Sequence, residues 1–315
     1  MDSGNLAIGI LFLLQNIVGI LGNFHLLSYY LVLYNKENTV KPTDLILTHL
    51  NIANSLIILF HGVPHTIATF GLKQLFSDLG CSLFLYIYRM GRGMSLSSTC
   101  LLSVFQAITM SPRNSCWKDL KFKAPKYVRF SIFLCWILYV LINFIFPLYL
   151  HTTWNIKNLT RKRDYEYCST IGSNKITELL YVALWVFPEV LLSGLIIWSS
   201  GSMVVILYTH KQQVQYIHSY KISSRTSPES RATRSILTLV STFLAFYTLS
   251  SILHGCIALL NNTSPWLIKI SQFISLSFPT IGPFIMNYDC TVPSSAFWSH
   301  SKANIMKSLL VVLCE

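Results

Sequence analysis

Seven stretches of this chain are apolar over the length needed to cross a lipid bilayer. They lie near residues 6–33, 45–70, 81–110, 129–150, 177–208, 236–260 and 266–288. A bilayer core is about 30 Å thick, and a helix needs roughly 20 apolar residues to span it. The seventh stretch is the least clean, because Lys269, Pro279 and Pro283 interrupt it. Pro147 and Pro188 fall inside the fourth and fifth, where neighbouring helices can satisfy the carbonyls that proline leaves free. The segments between the runs are too short for a separate domain. The predicted fold class is an all-α membrane protein, a seven-transmembrane helix bundle over 1–288 followed by a tail, 289–315.

Composition agrees. Charged residues make up 11% of the chain and hydrophobic ones 52%, with a mean hydropathy of +0.51. A soluble domain carries about 25% charged residues. The net charge of +12 does not point to nucleic acid, because the basic residues gather in short segments between apolar ones. Met1 to Asn5 lacks the basic start of a secretory signal, and the apolar run that follows exceeds a signal core. It reads as a first spanning helix.

Basic residues set the orientation. Lys36 and Lys41, the group from Arg113 to Arg129, the group from Lys211 to Arg234, and Lys302 with Lys307 fall on one side. The other side holds fewer, although Arg161, Lys162 and Arg163 lie there. The N-terminus is therefore predicted outside and the tail in the cytoplasm. Asn158-Leu-Thr160 then forms a glycosylation sequon in the second outer loop. The overlapping sequons at Asn261 and Asn262 sit close to helix ends. Of the eight cysteines, Cys100, Cys135 and Cys256 lie in apolar helices, and Cys116, Cys290 and Cys314 face the reducing side. Cys81 and Cys168 are left on the outer face. A bridge between them would pin the second outer loop over the mouth of the bundle; the other reading is two unrelated thiols.

Arg89 and Arg92 pose the chemical question. They stand three residues apart, on one face of the third run, about 12 and 16 Å in from Cys81 at 1.5 Å per residue. An arginine at that depth must face the bundle interior and find a partner. Glu189, after Pro188 in the fifth run, is the acid at matching depth. One reading is an internal ion pair bracing the third helix against the fifth. The other is an anion site, because two cations against one acid leave a positive surplus suited to a carboxylate or sulfate. Tyr86 and His65 are further candidates for a ligand cavity. Weaker ones are Tyr88, Trp185, Phe187, His61 and His254, which are as well explained by packing.

The motifs resemble a known family. Gly22-Asn23 in the first run, His49-Leu50-Asn51-Ile52-Ala53-Asn54 in the second, "TCLLSVFQAIT" and "SPRNS" in and after the third, and "SPESRATRSILTLVSTF" before the sixth are similar to vomeronasal type-1 receptors. The likeness runs to about Asp289. It implies a G-protein-coupled pheromone receptor in the plasma membrane. It implies a small pheromone or odorant ligand in an outward-facing cavity, and a heterotrimeric G protein with an inhibitory-type alpha subunit. The inner ends of the third and sixth helices would make that contact, through Gln106, Pro112, Arg113, Arg231 and Arg234, with membrane lipid alongside. Two features of the wider rhodopsin-like class are missing. Val104-Phe105-Gln106 stands where that class has Asp-Arg-Tyr, and Phe278-Pro279-Thr280-Ile281-Gly282-Pro283 replaces Asn-Pro-x-x-Tyr. The tail also departs from the family, with an apolar end from Ile305 to Leu313.

Rival readings are a bitter-taste-type receptor, against which "SPRNS" speaks, and a transporter or channel, which would show repeats or rings of charge. No His-Glu-x-x-His, Gly-x-Ser-x-Gly or paired aspartates within the spans suggest an enzyme. No cysteine spacing suggests a metal, and no cofactor is expected.

Overall fold

The computed structural model describes residues 3–36, 41–72, 78–111, 118–153, 162–165, 168–171, 175–217, 228–259 and 264–289. Seven helices occupy the seven predicted runs: α1 (Ser3–Lys36), α2 (Pro42–Thr69), α3 (Asp78–Met110), α4 (Lys118–Thr153), α5 (Lys175–Ile217), α6 (Pro228–Leu259) and α7 (Pro265–Asp289). Between α4 and α5 an antiparallel hairpin pairs β1 (Lys162–Tyr165) with β2 (Cys168–Ile171). This small sheet departs from an all-helical expectation. It closes its own backbone hydrogen bonds, as a loop outside the helices must.

The bundle is arranged inside out relative to a soluble protein. Leu14, Leu21, Phe24, Phe130, Phe133, Phe187, Val190, Val205 and Ile252 are exposed, while Asn16, Asn23, Asn51, Asn54, Ser95, Ser98, Thr99 and Ser271 are buried. So large an apolar surface has no place in water; in lipid it needs no partner, and polar groups turn inward. Many hydroxyls in the spans bond the carbonyl one turn back, as Thr48 does to Asp44 and Ser277 to Phe273. They bring few unmet donors into the membrane.

Helix α3 is the central post. It packs against α2, α4, α5 and α6, while α1 closes on α2 and α7, and α6 on α7. Six helices among the described residues are long and apolar enough to cross a membrane, and α7 is not one of them. The reason is visible in its burial: Ser271, Gln272, Ser277 and Thr280 all face the interior. A helix surrounded by protein tolerates polarity that a lipid-facing one cannot.

Helix α2 is not regular. It starts with Pro42 in the first turn, where a missing N–H costs nothing. It then widens into a π-helical turn over Ile58–Gly62, just before Pro64, with the N–H of Val63 reaching back to Ile58. Such a turn absorbs one extra residue. Gly62 sits there against Asn16 and Leu276; a Cβ at that position would run into the Asn16 side chain. Across the inner half, Trp136 Nε1 donates to His49 Nδ1 at 3.2 Å and ties α4 to α2.

Candidate functional site: the Arg92 cluster between α3, α5 and α6

Arg92 is 5% exposed, on the face of α3 that meets α5 and α6. Its Nε donates to Glu189 Oε1 at 3.4 Å, its Nη1 to Ser250 at 2.9 Å and its Nη2 to Ser251 at 2.6 Å. Its guanidinium carbon stands 4.3 Å from the ring centroid of Tyr247, an additional cation–π contact. The guanidinium fork suits this task because its donors diverge in one plane. Glu189 in turn accepts from the Tyr247 hydroxyl at 2.6 Å and from Ser251 at 3.4 Å. Ser250 and Ser275 share a hydrogen bond of 2.7 Å that extends the cluster to α7.

Two cavities flank this cluster. The first, about 350 Å³, is walled by Arg92, Tyr247, Phe243, Phe246 and Phe278, with Ser95, Ser250 and Ser275 as further polar points. The second, about 320 Å³, lies between α3, α4 and α5 and is lined by Arg89, Gly93, Tyr139, Ile142, Asn143, Pro188 and Glu189. An apolar cavity with a few convergent polar groups is the usual form of a small-molecule site. The first fits that description, with a cation on its wall. Among the described residues, no group of three or more histidines, cysteines or acids could hold a metal ion.

The structure brings Arg92 and Glu189 into contact, as the ion-pair reading expects, and sets Arg89 beside Glu189 on the second cavity. It does not bring Tyr86 or His65 to either. Tyr86 donates to the carbonyl of Val140 in α4 at 3.3 Å. His65 is buried against Phe12 of α1, ring centroids 4.6 Å apart. His61 stacks on Tyr88 at 3.9 Å. At the inner ends, Gln106 is half-buried and Arg234 exposed. Pro112, Arg113 and Asn158 lie outside the described residues, as does the tail beyond Asp289. The side chains of Cys81, Cys168, Trp185 and Arg231 lie outside them too.

Tyr247, Ser250 and Ser251 were not among the sequence candidates. A signal existed: Tyr247, Ser250, Ser251 and His254 recur at i, i+3, i+4 and i+7, one polar stripe on an otherwise apolar helix.

The backbone superimposes on squid rhodopsin with a TM-score of 0.68, over 92% of this chain and 78% of that one, at 14% identity. Seven helices in that arrangement, around a polar cluster centred on α3, define a bundle of the rhodopsin type. The sequence narrows the class. Residues 6–292 match the vomeronasal organ pheromone receptor family. Human vomeronasal type-1 receptor 4 is 49% identical over 286 residues, 91% of this chain and 95% of that protein. Gorilla vomeronasal type-1 receptor 1 is 39% identical over 313 residues, covering 99% and 88%. The chain belongs to the vomeronasal type-1 receptor family. It is a multi-pass membrane protein of the G-protein-coupled receptor type, and its relatives are receptors, not enzymes.

Proposed function

We propose that this receptor binds a small odorant or pheromone in the first cavity, with an anionic group or other strong acceptor of the ligand on Arg92. The aromatic walls suit an apolar, steroid-like body. Binding shifts the bundle toward a state that engages a heterotrimeric G protein at the inner ends of α3, α5 and α6. Gln106, Pro112, Arg113, Arg231 and Arg234 are the contact residues of this reading, at the plasma membrane, with an inhibitory-type alpha subunit as in the family. The observation that carries the ligand site is a buried guanidinium on the wall of an apolar cavity. In lipid, a cation is kept at such depth for a partner or a ligand.

The test is a panel of neutral, carboxylated and sulfated odorants in a signalling assay, on wild type, Arg89→Ala and Arg92→Ala at matched surface expression. Anionic odorants lose potency more than neutral ones in Arg92→Ala. Equal loss across the panel rejects the anion site.

A further inference from the structure

Arg92 and Glu189 face different cavities. Arg92 lines the first and Glu189 the second, and the two share no lining residue. The ion pair is therefore the wall between them. We propose that Glu189 is a displaceable counter-ion. It occupies on Arg92 the place that a ligand's carboxylate or sulfate takes, and its release frees α5 from α3 and α6. The first half of this inference rests on the ligand site proposed above. The second half concerns the bundle alone.

Three features support it. The contact between the charges is the loose member of the cluster: a single Nε–Oε1 approach of 3.4 Å, where a forked arginine–carboxylate pair closes to about 2.7–2.9 Å. The other guanidinium nitrogens are held by Ser250 and Ser251 of α6 at 2.9 and 2.6 Å. Arg92 thus stays placed when Glu189 leaves, and its Nε becomes available to another anion. Second, Glu189 has somewhere to go. The space on its far side is about 320 Å³ and offers Arg89, Tyr139 and Asn143 to a carboxylate. Third, Glu189 carries three polar links from α5 to the rest of the bundle, one to Arg92 and two to α6 through Tyr247 and Ser251. One rotation of one side chain releases all three.

The full-length receptor in lipid nanodiscs tests this, with spin labels at Tyr208 and Arg234, exposed positions in the inner halves of α5 and α6. Distances are measured without ligand in wild type, Glu189→Gln and Tyr247→Phe. Glutamine keeps the shape and gives Arg92 no charge; phenylalanine removes one bond and leaves the pair. The expected result is a shift to longer distances in Glu189→Gln and a smaller shift in Tyr247→Phe. In the signalling assay, Glu189→Gln raises the potency of carboxylate odorants roughly fivefold or more, since their competitor is gone. Distances that superimpose on wild type in both variants overturn the proposal. So does a fall in carboxylate potency in Glu189→Gln, which makes Glu189 a positioning residue for Arg92. If Glu189→Gln does not purify as a folded receptor, Tyr247→Phe decides by the same distances. Because the distance measurement needs no ligand, a receptor that answers no odorant overturns the ligand site and leaves the counter-ion to the labels.

Discussion

The side-chain amide of Asn23 in α1 donates to the carbonyl of Pro279 in α7 at 2.8 Å. That carbonyl is one α7 cannot satisfy itself, because its helical donor would be the N–H of residue 283, and residue 283 is proline. The same nitrogen also donates to Gly19 of its own helix at 2.8 Å. One amide thus closes a turn of α1 and repairs the gap in its neighbour. Gly22 makes this possible: its Cα hydrogen leaves room for Pro283, whose Cβ would stand 3.1 Å from an added methyl.

Asn23→Ala should therefore cost about 1–3 kcal/mol, the range for orphaning a buried acceptor, seen as a lower melting temperature in detergent. Made in a Pro283→Ala background, the same substitution should cost less, because the new N–H reaches the Pro279 carbonyl. A loss of equal size in both backgrounds would assign Asn23 a packing role only.

Arg92 predicts an asymmetry in stability. Arg92→Met leaves Glu189 buried without a counter-charge and should cost about 3–5 kcal/mol. Replacing Arg92→Met and Glu189→Leu together should cost clearly less than the single change, since no charge is then stranded. Thermal unfolding of the singles and the double gives the coupling directly.

Gly93 lies under the ring of Tyr139, where an added Cβ would overlap the ring carbons. Gly93→Ala should displace the ring and cost about 1–3 kcal/mol. Tyr139→Leu in the same chain should return part of that loss; Tyr139→Phe, which keeps the ring, should not. Melting temperatures of the three variants check it.

The proposed outer face carries Asn158, Cys81 and Cys168. Asn158→Gln should abolish a glycosidase-sensitive mobility shift of the receptor from cells. Cys81→Ser and Cys168→Ser should each expose one extra thiol to an impermeant reagent on intact cells, and should lower surface expression alike.

Much of the architecture was legible in the sequence because lipid imposes a length. Each of the seven runs became a helix, and even the weak seventh was marked in advance by Lys269 and its prolines. The Arg92–Glu189 contact was legible for a related reason: so few acids enter the spans that depth alone selected Glu189. Their hydroxyl partners were not. Serine and threonine are common in membrane helices and mostly bond their own backbone, as Thr248 does to Leu244. Only the helical phase of Tyr247, Ser250 and Ser251 sets them apart.

Tyr86 and His65 show two ways in which depth misleads. Tyr86 is six residues before Arg92, about 240° around the helix at 3.6 residues per turn, so it meets α4 and not the cluster. His65 lies beyond the π turn of α2, whose added residue shifts the phase of all that follows. No helical wheel drawn from the sequence contains that shift.

The wide turn at Ile58–Gly62 therefore makes chain length itself a determinant of chemistry. Remove one residue between Asn54 and Pro64, and the turn relaxes to an ordinary helix. The outer stub, with His65 and Thr66, rotates by about 100°. Thr66 now holds Asn16 by a hydrogen bond of 2.7 Å, and that clasp would open. Two receptors identical at every aligned position could in this way present different side chains to the same odorant, through a single deletion well away from it.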